Sequence, residues 1–273
     1  MNNFWQRALT GIVFVAVLIG AILLGGWYLH ITFGLIVILG LLEFYKLFEK
    51  TESQPQLIVG TLIGGGVYFS TFILLHLNIL YPQSLALVFI LIAFIFISIV
   101  ELFRQKKKPF ENIALTYIGI VYIVVPFIFI NLLADTFNGF HKVWPLLSVF
   151  ILIWCNDTLA YLTGRLFGKH KLFERISPKK TWEGFIGGLI FTLIFALVLA
   201  YFSNDSFAKL IIFAIVVSVV GTLGDLVQSM LKRSVDVKDS GNFLPGHGGI
   251  LDRFDAVLFV VPVIFLLEVF VFG

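Results

Sequence analysis

Apolar residues run along this chain in nine blocks, at approximately 8–25, 27–45, 57–76, 84–103, 112–133, 144–164, 184–202, 207–227 and 254–272. About 20 apolar residues make a bilayer-spanning helix, at ~1.5 Å of rise per residue across ~30 Å of hydrocarbon. Helices are expected because a segment in lipid must satisfy its own backbone hydrogen bonds. The pattern predicts an all-α integral membrane protein with about nine transmembrane helices. The run after Arg7 could imitate a secretory leader, but only more apolar sequence follows it, so it reads as the first span.

Composition supports this: 59% of residues are hydrophobic and 13% charged, against roughly 25% charged in a soluble domain. A single cysteine, Cys155, excludes an intrachain disulfide framework and a multi-cysteine metal site, and in an apolar run it reads as an inert thiol.

The net charge of +3 matters less than where the charges fall. With the N-terminus cytoplasmic and the spans alternating, 17 of the 19 Lys and Arg lie inside, and only Lys142 and Lys209 outside. That asymmetry is what the positive-inside rule demands. It predicts a C-terminus on the outer side.

Two regions differ in character. Residues 1–143, spans one to five, read as mainly structural. Gly64-Gly65-Gly66 suits close helix packing, and Lys106-Lys107-Lys108 suits anionic headgroups. Glu43, deep in span two, faces the protein interior or reaches to the surface; no role is assigned to it.

Residues 144–273, spans six to nine, carry the candidate chemistry. Asn156 and Asp157 stand inside span six, with Tyr161 and Gly164 spaced to share the face of Asp157. An intramembrane Asp is a functional candidate, with a helix-packing hydrogen bond as the plain alternative. Ser177-Pro178 reads as a helix N-cap and first position, flanked by Lys179, Lys180 and Thr181. Such a start binds anions, or is only a capped helix beside ordinary cytoplasmic lysines. Asp225 lies near the inner end of span eight.

The polar island Ser229–Asp255 then separates the last two spans. It holds two Lys, two Arg, four Asp, one His and four Gly. Asp252 and Asp255 start span nine; helix capping is their plain role, but it leaves the neighbouring basic residues unexplained. Hard carboxylate oxygens suit Mg²⁺, which takes one or two of them plus substrate phosphates. Basic residues beside them suit a polyphosphate. Together they describe metal-assisted phosphoryl-type transfer. No P-loop, GxGxxG, G-x-S-x-G or HExxH motif is present.

The run Ser229-x-Leu231-Lys232-Arg233-x4-Lys238-Asp239-x-Gly241-x2-Leu244-Pro245-x-His247-Gly248-Gly249-Ile250-x-Asp252-Arg253-Phe254-Asp255 resembles the phosphatidate cytidylyltransferase (CDP-diacylglycerol synthase) pattern at every specified position. The resemblance extends to Asn156-Asp157…Gly168-Lys169 and Ser177-Pro178-x-Lys180-Thr181. Gln228 departs from it, where many members carry Glu.

The resemblance implies transfer of CMP from CTP to phosphatidate, giving CDP-diacylglycerol and pyrophosphate with Mg²⁺, at the cytoplasmic face of the cell (inner) membrane. A second cation, monovalent or divalent, is left open. The expected catalytic set is Asp225, Lys232, Arg233, Lys238, Asp239, His247, Asp252 and Asp255, with Asp225 and Asp252 as metal ligands. Lys232, Arg233 and Lys238 would hold the CTP phosphates or departing pyrophosphate, with His247 donating to phosphate. The substrate-binding set is Asn156, Asp157, Ser177, Lys179, Lys180, Thr181, Gly248, Gly249 and Arg253. The expected partners are CTP, a phosphatidate lipid and the bilayer, with no nucleic acid and a homodimer left open.

Rival readings are another CTP-dependent lipid enzyme, such as a polyprenol kinase or a lipid-phosphate cytidylyltransferase, and an ion-coupled transporter. Charges gathered at one face rather than the midplane count against the transporter.

Overall fold

The computed structural model describes residues 3–76, 82–135, 144–203, 205–241, 243 and 248–272. His247 and Lys142 lie outside the described residues. Every predicted apolar block falls on helix. The helices are α1 (Asn3–Leu24), α2 (Gly26–Lys46), α3 (Leu57–His76), α4 (Pro82–Arg104), α5 (Pro109–Gly119), α6 (Val125–Asp135), α7 (Trp144–Phe167), α8 (Trp182–Ser203), α9 (Phe207–Ser234), α10 (Leu251–Phe254) and α11 (Val257–Leu267). A π-helical turn, Ile120–Val124, joins α5 to α6, and another, Glu268–Phe272, follows α11. The first lies just before Pro126, which has no N–H to offer the preceding turn.

Among the described residues, six continuous helical stretches are long and apolar enough to cross a membrane: Gly26–Lys46, Pro109–Ala134, Trp144–Phe167, Trp182–Ser203, Phe207–Ser234 and Leu251–Phe272. Their outward faces are greasy; Phe202 and Phe270 are more than 70% exposed. Such surfaces suit lipid rather than water. The chain is a multi-pass, α-helical membrane protein.

One correction follows. The helical membrane fold carries one small hairpin: strands β1 (Lys171–Phe173) and β2 (Ser177–Thr181) pair antiparallel in the loop between α7 and α8. Ser177 therefore starts a strand, not a helix. The helix begins five residues later at Trp182, where the Thr181 hydroxyl oxygen accepts the Gly184 N–H at 3.2 Å. Ser-Pro is as good a strand entry as a helix start; pairing with Lys171–Phe173 decides.

The chain divides into two compact units, one of residues 1–131 with 239–252, the other of 132–238 with 253–273. In the first, α2 is the buried centre, with Leu29, Phe33, Val37, Leu41 and Phe44 almost wholly enclosed. The buried Glu101 carboxylate accepts from Gln56 Nε2 (2.8 Å), Asn112 Nδ2 (2.7 Å) and Arg104 Nη1 (2.7 Å). These bonds tie the loop after α2 to α4 and α5.

In the second unit, α8 buries Gly184, Gly188, Thr192, Ala196 and Ala200, one small residue every four. This stripe meets Ala160 and Gly164 of α7; a Cβ on Gly184 would stand 2.8 Å from the Ala160 carbonyl oxygen and 3.1 Å from the Gly164 Cα. Without a hydrophobic drive between helices in lipid, such close packing carries association. Lys209 and Glu268 form a buried pair at 2.5 Å. It lies 16 residues, or about 24 Å of helix, from Asp225 on α9.

Glu101→Ala should lower stability by about 1–3 kcal/mol, because it takes the shared acceptor from two buried amides and the half-buried Arg104 guanidinium. The thermal midpoint of the purified protein in detergent measures this; an unchanged midpoint contradicts the network's role.

Candidate active site

In the second unit, one end of the helices gathers the acids. Asp225, on α9, is held by Lys180 Nζ at 2.6 Å and by the Ser229 hydroxyl at 3.3 Å. Both partners of the ion pair are partly exposed. Pairs of that kind contribute about 0–1 kcal/mol, too little to explain the placement by stability. Asp157 and Asp255 lie within electrostatic reach of Asp225 and Lys180, and Arg253 within reach of Asp157. Asp157 is exposed, while Asp225 and Asp255 are half-buried, so the cluster is open to a ligand.

Glycine makes the approach possible. A Cβ on Gly224 would fall 2.8 Å from both the Asp255 carbonyl oxygen and the Phe259 ring. Only a hydrogen at this position lets the start of the last span press onto α9 and set Asp255 beside Asp225.

Other predicted residues of this unit have structural duties. Asn156 is buried, with Oδ1 accepting from the Thr192 hydroxyl at 3.4 Å. Asp157, Tyr161 and Gly164 lie along one side of the unbroken helix α7; Gly164 packs on α8 with Ala160, while Asp157 and Tyr161 are exposed. Thr181 caps α8. Alternation along β2 puts Lys179 and Lys180 on opposite faces; Lys180 meets Asp225 and Lys179 is exposed. At the end of α9, Asp236 N–H bonds Arg233 O and Val237 N–H bonds Lys232 O, a Schellman closure with Asp236 at φ 56°. Arg233 Nη1 donates to Val237 O at 2.7 Å, leaving Lys232 half-buried and Arg233 exposed at the helix terminus. Lys238 is exposed.

In the first unit, Asp252 Oδ2 accepts from Ser240 N (3.0 Å) and Gly249 N (3.2 Å). Gly248 stands at φ 80°, where a side chain is strained. Asp239 is exposed beside them.

Comparison with known proteins agrees with this chemistry. A family profile described as the Cytidylyltransferase family matches residues 5–271. The chain belongs to that family. Proteins named phosphatidate cytidylyltransferase are similar to it along almost their whole length. The one from Staphylococcus saprophyticus is 39% identical, covering 96% of this chain and 97% of its own. Those from Staphylococcus haemolyticus (35%, covering 96% and 97%) and Haemophilus influenzae (32%, covering 94% and 96%) follow.

This cytidylyltransferase is thus a nucleotidyltransferase, and its reaction suggests a divalent metal. Among the described residues, no three His, Cys, Asp or Glu stand close enough to hold an ion alone. The cluster of three acids against Lys180 and Arg253 still leaves acid in excess. That donor set fits Mg²⁺, which completes its shell with substrate phosphate and water.

The sequence left two participants without a role. Glu183 accepts from Lys169 N (3.0 Å) and His170 N (3.2 Å), closing the turn into β1. Glu43, on α2, accepts from Leu251 N at 3.1 Å and lies 3.4 Å from the Ser240 hydroxyl. An acid inside an apolar helix was the only signal for it.

Gly224→Ala should cost the cytidylyltransferase about 1–3 kcal/mol through overpacking. Gly221→Ala, whose Cβ would meet only Val260 and Ala256 at 3.4–3.5 Å, should be nearly silent. Comparing thermal midpoints checks this; equal effects would contradict the close approach of Asp255.

Proposed function

We propose that the chain is a phosphatidate cytidylyltransferase, with nine spans, a cytoplasmic N-terminus and its site at the cytoplasmic face of the cell membrane. The observation that carries the reading is the Lys180–Asp225 pair standing with Asp157 and Asp255 in a protein whose relatives bear that name. The distribution of Lys and Arg supports the topology.

The reaction joins a phosphatidate phosphate oxygen to the α-phosphorus of CTP. The bond from that phosphorus to the β-phosphate bridging oxygen breaks, and pyrophosphate leaves with the electron pair. A phosphomonoester has a second pKa near ~6, so the attacking group is largely dianionic at neutral pH and needs little help from a general base. The protein's task is to align two anions and offset their repulsion. Magnesium, when bound, would supply most of that screening, with Asp225 and Asp252 as its proposed protein ligands. Lys180 holds Asp225 in place and is set to pass from the carboxylate to a phosphate. Lys232, Arg233 and Lys238 would steady the triphosphate. Gly248 and Gly249 would let backbone approach the nucleotide, with His247 as a donor. Acyl chains would remain among the apolar helix faces.

Incubation with phosphatidate and CTP labelled separately at the α- and γ-phosphates tests the reading. Label from the α-position should reach the lipid. Label from the γ-position on lipid would instead reveal a kinase, and uptake without turnover a transporter. Asp225→Asn should reduce turnover by about 100-fold or more, the scale of losing one preorganised charge interaction; near-normal turnover in the folded variant removes its metal role. Lys180→Ala should cost at least about tenfold, and more than Lys179→Ala, because only Lys180 faces the acids; the reverse order contradicts the strand placement.

A further inference from the structure

We propose that Glu43 is a positioning residue for Asp252, holding Ser240 and Gly249–Asp252 against α2. The inference rests on the cytidylyltransferase reading and adds to it a residue from the part of the chain read as structural. Glu43 is only 7% exposed. Its Oε2 accepts the Leu251 N–H at 3.1 Å, beside the Ser240 hydroxyl at 3.4 Å. Leu251 is the residue before Asp252, and Ser240 N donates to Asp252 Oδ2 at 3.0 Å. The two carboxylates thus hold the same short segment, Glu43 at Ser240 and Leu251, Asp252 at Ser240 and Gly249.

Glycine at 241 and 249 admits Glu43. A Cβ at Gly241 would stand 2.6 Å from Glu43 Oε1, and one at Gly249 would stand 2.6 Å from Oε2. Both glycines are therefore required by the carboxylate as much as by any ligand. Glu43 Oε1 is buried and finds no hydrogen-bond partner among the described residues. An apolar helix retains such a group at a cost, which contact with the Ile250 and Leu251 N–H groups and the Ser240 hydroxyl only partly offsets. The arrangement has the form of an outer-shell support: one carboxylate fixes the backbone on which another is aimed.

The test uses the full-length protein in detergent or proteoliposomes. Glu43→Ala removes the support, Glu43→Asp withdraws the carboxylate by one methylene, and Glu43→Gln keeps the shape and one acceptor. Loss of an outer-shell partner commonly costs 10–100-fold in metal affinity or activity. The half-saturating Mg²⁺ concentration should therefore rise at least about tenfold in Ala and Asp, less in Gln. Trypsin should cut faster after the exposed Lys238 in the same order, a readout independent of turnover. Lost packing alone would lower the active fraction and leave half-saturation by Mg²⁺ unchanged; that result, with unaltered cleavage at Lys238, overturns the proposal. Should Glu43→Ala fail to fold, the near-isosteric Glu43→Gln decides. If the wild type makes no CDP-lipid, the functional reading falls, and the cleavage order still judges whether Glu43 holds the segment.

Discussion

Placing an acid at the centre of a membrane-spanning helix costs about 2.5–3.5 kcal/mol on insertion scales, and less towards the ends. The chain meets that cost differently at each place it carries charge. Glu101 is surrounded by three donors from Gln56, Asn112 and Arg104. Lys209 and Glu268 pair inside the second unit, away from the acid cluster along α9. Asp157, Asp225 and Asp255 are the exception, since their charges are only partly answered by Lys180 and Arg253. An incompletely compensated cluster with an open side is poor structural engineering and a good receptor for a cation that arrives with a polyphosphate.

Small residues bring those acids near one another. Helices in lipid gain little from hiding apolar surface, so they associate where backbones can touch. The four-residue spacing of Gly184, Gly188, Thr192, Ala196 and Ala200 supplies that contact for α7 and α8. Gly224 does the same for α9 and the start of the last span. Asp157 comes from the first of these helix pairs, and Asp225 and Asp255 from the second. The hairpin of β1 and β2 then delivers Lys180 to Asp225. Close packing and site geometry are therefore one property of the second unit.

Much of this was legible in the residues. Hydropathy located the six spanning helical stretches among the described residues, because spanning length follows from bilayer thickness. The acids Asp157, Asp225 and Asp255 stood out for the same reason: a charge in an apolar run is conspicuous. The polar island from Ser229 to Asp255 carried the family resemblance in its spacing.

Partnership was not legible. Ser177-Pro178 looked like a helix start, and only pairing with Lys171–Phe173 made it a strand. Lys179 and Lys180 are adjacent and chemically alike, yet strand alternation separates them and one alone meets Asp225. Asn156 and Asp157 are neighbours in the chain, yet packing turns Asn156 to Thr192 and leaves Asp157 exposed. Glu43 and Leu251 are 208 residues apart, so no local pattern joins them. That this is a helical membrane protein with acids at selected helix ends follows from the residues alone, since both express the cost of moving polar groups into lipid. Which acid meets which base emerges only on folding, because it depends on which faces the small residues allow to touch.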